Sequence, residues 1–208
     1  LPKELTDILS RLRQDAKSMP AAQLQQVLQC EWGTDWSSRF RYFSPQPIAA
    51  ASIGQVHEAV THDGLRLAIK IQYPGVRESI DSDIDNVASL FRMTGLIPDK
   101  QDIRNLLQEA KKQLHEEADY LREAQCLQQY AALLAGDTRY LIPQVLMEHS
   151  TTNILAMTYV EGVPIESLDD APADTRNRLA GLMFELMFRE LFEFQHLSCL
   201  SLIIVFQR

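Results

Sequence analysis

Pro47-Ile48-Ala49-Ala50-Ala51-Ser52-Ile53-Gly54-Gln55-Val56-His57-Glu58-Ala59 leads, through the turn His62-Asp63-Gly64, into Leu65-Arg66-Leu67-Ala68-Ile69-Lys70-Ile71-Gln72-Tyr73-Pro74-Gly75. The second half alternates: Leu65, Leu67, Ile69 and Ile71 fall on one face of an extended strand, and Arg66, Ala68 and Lys70 on the other. The pattern predicts a tight loop of small residues, a strand, a turn, and a second strand that carries a lysine. Lys70 shares its face with Ala68, a side chain small enough to let a flat ring lie against the strand. A point cation on a rigid strand beneath a backbone-rich loop suits the α- and β-phosphates of a nucleotide. A strand lysine taken alone is more often simply solvated, so the assignment leans on the loop and on a helix further along.

Composition sets outer bounds. The 208 residues suit one domain of ordinary size or two small lobes. An apolar fraction of 46% with 23% charged residues is that of a globular protein. The net charge of −8, from 20 basic and 28 acidic residues, argues against nucleic acid as a partner. Cys30, Cys126 and Cys199 are odd in number and far apart, which suits a reducing interior better than a disulfide framework or a metal cluster. No signal peptide is visible, and Leu1-Pro2-Lys3 without a methionine points to a missing or trimmed N-terminus.

Around the hairpin, helices dominate. Residues 3 to 30 read as helices broken near Met19-Pro20, with Leu5, Ile8, Leu9 and Leu12 in one stripe and Leu24, Val27 and Leu28 in another. Trp32-Gly33-Thr34-Asp35-Trp36 is an irregular connector, either packed on the hairpin or offered to another lobe. Residues 78 to 95 predict a helix whose Asp81, Asp83 and Asp85 complement its dipole; the glycine and late glutamate of a calcium loop are absent. One long helix is expected from Asp102 to Leu134, then strands over Gln144–Glu148 and Ile154–Val160, and a last helix from Asp174 to Phe194. On the long helix Asp119 and Glu123 are four apart and would share a face, where two like charges need a cation or a metal nearby.

Alanines and a serine stand where ordinary protein kinases carry glycines. With the Ser-Ile-Gly-Gln that follows and Lys-Ile-Gln-Tyr-Pro-Gly at the end of the strand, the composite resembles the UbiB/AarF/ADCK atypical kinase-like proteins of ubiquinone biosynthesis. The resemblance implies an α+β fold, with a protein-kinase-like N-terminal lobe built on an antiparallel sheet, an extra helical insertion and a fragment of the helical C-terminal lobe. The expected division is 1–40 as an N-terminal helical extension, 41–162 as the N-lobe with its insertion at about 78–100, 163–196 as the start of the C-lobe, and 197–208 as an aberrant apolar tail. ATP or ADP is the implied cofactor, magnesium-dependent in the intact family. Ala49, Ala50, Ala51 and Ser52 would lie at the phosphates, Lys70 would pair with Glu123, and the backbone of Thr158 and Val160 would meet the base edge with Met157 behind it. Glu117-x-Asp119 matches the family's regulatory E-x-D motif, which faces a K-x-G-Q element upstream; an ordinary solvated acidic face is the alternative.

The resemblance then stops. After Arg189-Glu190-Leu191-Phe192-Glu193-Phe194-Gln195-His196 the family carries a D-P-x-x-x-N loop and D-F-G, whereas no aspartate follows Asp174 here. No catalytic residue and no metal ligand is therefore assigned. The apolar run Leu197–Phe206 falls short of the ~20 residues of a bilayer span; it reads as a frameshift, an altered splice end or a truncated gene, and as an aggregation hazard. The expectation is an ATP-binding atypical kinase or ATPase-like protein of ubiquinone biosynthesis, incomplete and inactive, with a non-catalytic nucleotide-binding or interaction module as the alternative. A small-molecule phosphotransferase is disfavoured by the alanine loop and the E-x-D motif. Ubiquinone-biosynthesis proteins or a membrane lipid surface are the partners implied for the intact family, in the cytoplasm of a bacterium or the mitochondrion of a eukaryote.

Overall fold

The computed structural model describes residues 19–51, 53–94, 100–162, 168, 171–194 and 205–206. Its frame is an antiparallel sheet in the order β1-β2-β3-β5, formed by β1 (Tyr42–Ala51), β2 (Gly54–Val60), β3 (Arg66–Gln72) and β5 (Ile154–Thr158). The alternation along β3 holds: Leu67, Ile69 and Ile71 are fully buried on one face, while Leu65 falls just outside the strand and is exposed. Helix α1 (Ala21–Trp32) covers that face with Leu24, Leu28 and Trp32, and Phe40 completes the cluster. Each such side chain contributes about 1.5–3 kcal/mol by leaving water. Gly33, at φ 89 and ψ 173, takes a positive-φ conformation open to glycine and ends α1 there. Trp32 packs on Phe40 with ring centroids 5.3 Å apart, and its indole donates to the His149 carbonyl at 3.2 Å. Of the two readings of the tryptophan connector, packing on the sheet is the one the described residues display.

β1 departs from expectation at its end. Ala49, Ala50 and Ala51 are not in a loop but in the strand, opposite Val56, Gln55 and Gly54. Alanine keeps a Cβ and so extends a ladder that glycine would loosen. Only residues 52 and 53 connect the strands, and Ser52 lies outside the described residues. Pro45 and Pro47, which cannot donate to a ladder, sit where the register shifts between Phe43 and Ala49 on this edge strand.

A buried polar chain crosses the same region. The Gln55 side chain accepts from Met19 N–H at 2.9 Å and donates to His57 Nε2 at 2.8 Å, and His57 Nδ1–H donates to the Ser44 carbonyl at 2.9 Å. That chain fixes His57 as the neutral Nδ1–H tautomer. Burial pushes the imidazole below its usual range near 6.5, and the Ser44 carbonyl opposes this to a lesser extent. The unfolded chain thus takes up the proton first. The stability His57 contributes is complete above about pH 6.5 and is lost as pH falls through its lower folded value. Urea midpoints measured between about pH 7 and pH 5 are expected to fall more steeply in the parent than in His57→Asn, whatever the variant's absolute stability; equal slopes would refute the assignment.

Helix α2 (Val76–Thr94) packs on α3 (Lys100–Glu117), where Lys111 pairs with Asp85 at 2.8 Å. The expected long helix is two: α3 ends at Glu117, and α4 (Tyr120–Leu133) starts afresh. Between Pro143 and β5 no full strand forms. Val145 makes a single bridge to Met157, and Met147–His149 turn into a 3-10 helix. Pro143 has no N–H to give a ladder, and the Ser150 amide turns back to the Met147 carbonyl. Helix α5 (Ala173–Phe192) buries Leu179, Leu182 and Leu186, the last two against Tyr130, Leu134 and Tyr140, with the Tyr140 hydroxyl donating to the Leu182 carbonyl at 2.9 Å. Its opposite side leaves Phe184, Phe188, Leu191 and Phe192 exposed. Arg139 bridges Asp137 and Glu185 and holds the Asp137 carboxyl down at about 2. Strand β4 (Tyr140–Leu141) pairs with β6 (Val205–Phe206). The Leu5–Leu12 stripe, Gln195–His196 and residues 197–204 lie outside the described residues.

Candidate functional site

β3 carries Lys70 and Gln72 on the face away from α1, and α4 lies across that face. Lys70 Nζ donates to both oxygens of Glu123, at 2.8 Å each, although 53 residues separate the two. The lysine is 5% exposed, and the glutamate side chain 13%. Charge-assisted bidentate contacts of this kind are short and directional. On the ammonium's other flank lies Tyr120, whose ring centroid is 4.6 Å from Nζ. Burial, and next the Glu123 carboxylate, push the Tyr120 phenol well above its ordinary range, so the ring stays neutral.

The helix break makes this geometry. Asp119 is extended, at φ −101 and ψ 96, and its Oδ1 accepts from Leu121 N–H at 3.1 Å and Arg122 N–H at 3.4 Å. It is the N-cap of α4, a role worth about 1 kcal/mol. Two hydrogen bonds fasten the break to the sheet: Gln72 Nε2 donates to the Ala118 carbonyl at 3.0 Å, and Tyr120 N–H donates to the Thr152 carbonyl at 3.0 Å. Tyr120 and Glu123 then sit three apart in the first turn of α4, both on Lys70.

The shared face expected of Asp119 and Glu123 is therefore corrected. A cap residue and a first-turn residue point at different partners, Asp119 to backbone amides and, at 3.8 Å, to Arg77. Glu117 is half-buried in the last turn of α3. Ala51 faces Gly54 across the hairpin turn, and Val56 of β2 is the register partner of Lys70. Ala68 and Met157 are cross-strand partners and pack with Ala124, Leu127 and Leu155 under α4. Tyr159 N–H donates to the Arg66 carbonyl, so in an antiparallel ladder the polar groups of Thr158 face the opposite edge. Its N–H donates there to the Gln144 carbonyl at 2.8 Å, and its hydroxyl accepts from Gln144 N–H at 2.9 Å. Val160 follows just beyond the strand, half-buried.

Tyr120, Gln72 and Thr152 were not singled out by the sequence pattern. Asp119, a preferred N-cap type, was the available sign of a new helix start; the apolar period running through the break concealed it. A cavity of about 290 Å³ opens elsewhere, between α1 and the β3–α2 turn, lined among others by Gln26, Cys30, Glu31, Tyr73 and Glu78 and not by Lys70 or Glu123. Among the described residues no helix is long and apolar enough to cross a membrane, and no three His, Cys, Asp or Glu residues are grouped to hold a metal.

Sequence comparison agrees with this geometry. The profile of the ABC1 atypical kinase-like domain matches residues 11–199. The chain is 41% identical over 198 residues to the atypical kinase COQ8, mitochondrial, of Saccharomyces cerevisiae, covering 95% of this chain and 40% of the yeast protein. It is 40% identical to the atypical kinase COQ8B, mitochondrial, of Rattus norvegicus, over 94% of this chain and 37% of the rat protein. The protein ACTIVITY OF BC1 COMPLEX KINASE 7, chloroplastic, of Arabidopsis thaliana is 31% identical over 85% of this chain and 26% of its own length. The chain thus spans two fifths or less of these relatives. Among solved structures, Rv3197 of Mycobacterium tuberculosis, in complex with erythromycin, superposes with a TM-score of 0.65 at 29% identity, covering 85% of this chain and 45% of that one. A lysine on the third strand of an antiparallel sheet, paired with a helix glutamate, is the kinase arrangement, and with these matches the chain belongs to the ABC1 atypical kinase-like family.

Proposed function

We propose that this chain forms the nucleotide-binding lobe of an atypical kinase or ATPase that supports ubiquinone biosynthesis. The observation that carries the reading is the buried Lys70–Glu123 pair beside the alanine-lined hairpin. An ammonium desolvated to this extent, and held by one carboxylate, has a remaining N–H for an anionic oxygen, and a phosphate is the strongest such acceptor in the cell. The short side chains of Ala49, Ala50 and Ala51 leave room for phosphates close to the backbone. The adenine of ATP or ADP would lie toward β5, against Ala68, with the Thr158 carbonyl and the Val160 amide at its edge and Met157 behind. The Thr158 amide is already taken by Gln144, so the carbonyl is the group assigned to the base. Lys70, the buried cation beside the hairpin, is assigned to the phosphates, and the charge it brings does not require magnesium.

In this reading Glu117 and Asp119 form the family's regulatory E-x-D element, with Asp119 also capping α4. Helix α2 is its helical insertion and α5 the first helix of the C-lobe. The mitochondrial names of the yeast and rat relatives support a mitochondrial location for a eukaryotic member, peripheral to a membrane and beside other ubiquinone-biosynthesis proteins.

The test is titration of the 208-residue chain with a fluorescent ATP or ADP analogue, with and without magnesium. Saturable binding with little magnesium dependence is expected, and at least a tenfold loss of affinity, about 1.4 kcal/mol, in Lys70→Met/Glu123→Leu, which removes both charges together. Equal affinity in that variant would refute the reading.

A further inference from the structure

We propose that Tyr120 is a positioning residue of the nucleotide site, its ring face holding the Lys70 ammonium in the orientation that Glu123 alone leaves free. This rests on the assignment of Lys70 to the phosphates and adds a third member to the pair. Of the three N–H groups of the ammonium, two are drawn to Glu123 at 2.8 Å. A lone carboxylate allows the group to pivot about the line between its oxygens. The Tyr120 ring, with its centroid 4.6 Å from Nζ, closes one flank of that pivot by cation–π attraction, which is strongest where water is excluded. The remaining N–H is left for a ligand oxygen.

Tyr120 is 0% exposed, and its hydroxyl has no hydrogen-bond partner among the described residues, so the ring face is what the side chain offers to Lys70 and phenylalanine is expected to serve there as well. The position is fastened independently of the side chain. Tyr120 N–H is tied to the Thr152 carbonyl, the Ala118 carbonyl two residues earlier to Gln72, and the helix start to the Asp119 carboxylate. The ring therefore stands on the sheet, with little dependence on how the rest of α4 moves. Burial keeps the phenol neutral beside Glu123, so the ring adds no charge to compete with an incoming phosphate.

The experiment compares Tyr120→Phe with Tyr120→Leu in the 208-residue chain, reading both the Lys70 side-chain ammonium resonance by NMR and the affinity for the fluorescent ATP analogue. Ring-current shielding should keep the Lys70 signal displaced in the parent and in Tyr120→Phe, and return it to the ordinary lysine position in Tyr120→Leu. Affinity is expected within about twofold of the parent for the phenylalanine variant and roughly tenfold weaker for the leucine variant. Should the leucine variant not fold, Tyr120→Met, unbranched and adaptable, replaces it. The proposal is overturned if the aliphatic variant keeps the displaced resonance or the parent affinity, or if Tyr120→Phe loses as much as it does. A parent chain that binds no adenine nucleotide would sink the functional reading instead, and the resonance would still decide whether Tyr120 holds Lys70.

Discussion

Gly54→Ala is expected to lower the melting temperature by roughly 6–12 °C and to weaken the proposed nucleotide binding with it, from a cost of about 3 kcal/mol at 2–4 °C per kcal/mol for a chain of this size. A Cβ built at Gly54 would lie 2.2 Å from the Ile71 carbonyl oxygen, 3.0 Å from its carbon and 3.1 Å from Gln72 Cα. All three are backbone atoms, so no rotamer change can relieve the contact. Gly54 pairs with Ala51 on one side and Gln72 on the other, and the strands must separate where the hairpin turn meets β3. That end of β3 carries Gln72, which fastens the start of α4, and Lys70 two residues earlier. Strand separation therefore reaches the Lys70–Glu123 geometry directly. Gly136→Ala is the control: nothing lies within 4 Å of its added carbon, and a change within about 0.5 kcal/mol is expected. Thermal melts of the two variants check the result, and a Gly54→Ala protein that melts with the parent would show that the strands do not approach this closely.

Much of the fold was legible because one strand carries an unambiguous period of two. Leu67, Ile69 and Ile71 on one face and Lys70 on the other put the apolar core and the lysine on opposite sides of the strand, and the burial of the three apolar residues against α1 with Lys70 under α4 agrees. The Lys70–Glu123 pair came from the family resemblance, since no local pattern connects residues 53 apart. The misread positions share one physical cause. Apolar period reports which residues face a core, and it does not report how backbone amides are satisfied. Ile103, Leu107, Ala110, Leu114 and Ala118 continue into Leu121 without interruption, yet the chain breaks at Asp119 because the carboxylate offers the amides of Leu121 and Arg122 an acceptor. The alanines looked like a loop by analogy with glycine, but alanine tolerates strand geometry, and they pair with β2. Pro143 interrupts what otherwise reads as a strand. Tyr120 was invisible for a simpler reason: an aromatic residue at an apolar position carries no sign of the cation that three-dimensional packing sets above it.

Glu123→Ala is expected to cost about 3–5 kcal/mol, the range for removing one partner of a buried ion pair. Lys70 is 5% exposed in the parent, and the alanine takes away the carboxylate that its ammonium contacts, leaving the Tyr120 ring beside it. Attraction to a ring face, at most a few kcal/mol, cannot offset the desolvation of a full charge. Lys70→Met/Glu123→Leu takes away the charges and keeps the volume. Its urea midpoint should match or exceed the parent's, because the mutual attraction of such a pair does little more than offset the cost of taking both ions out of water. Nucleotide binding should be lost in both variants. The two properties therefore part company: the single variant loses stability and binding together, and the double variant loses binding alone. That separation marks the pair as retained for the ligand and not for the fold. Two outcomes would count against it, a Glu123→Ala midpoint equal to the parent's, meaning that water reaches Lys70, or a double variant as unstable as the single, meaning that the pair is needed to position α4 on the sheet.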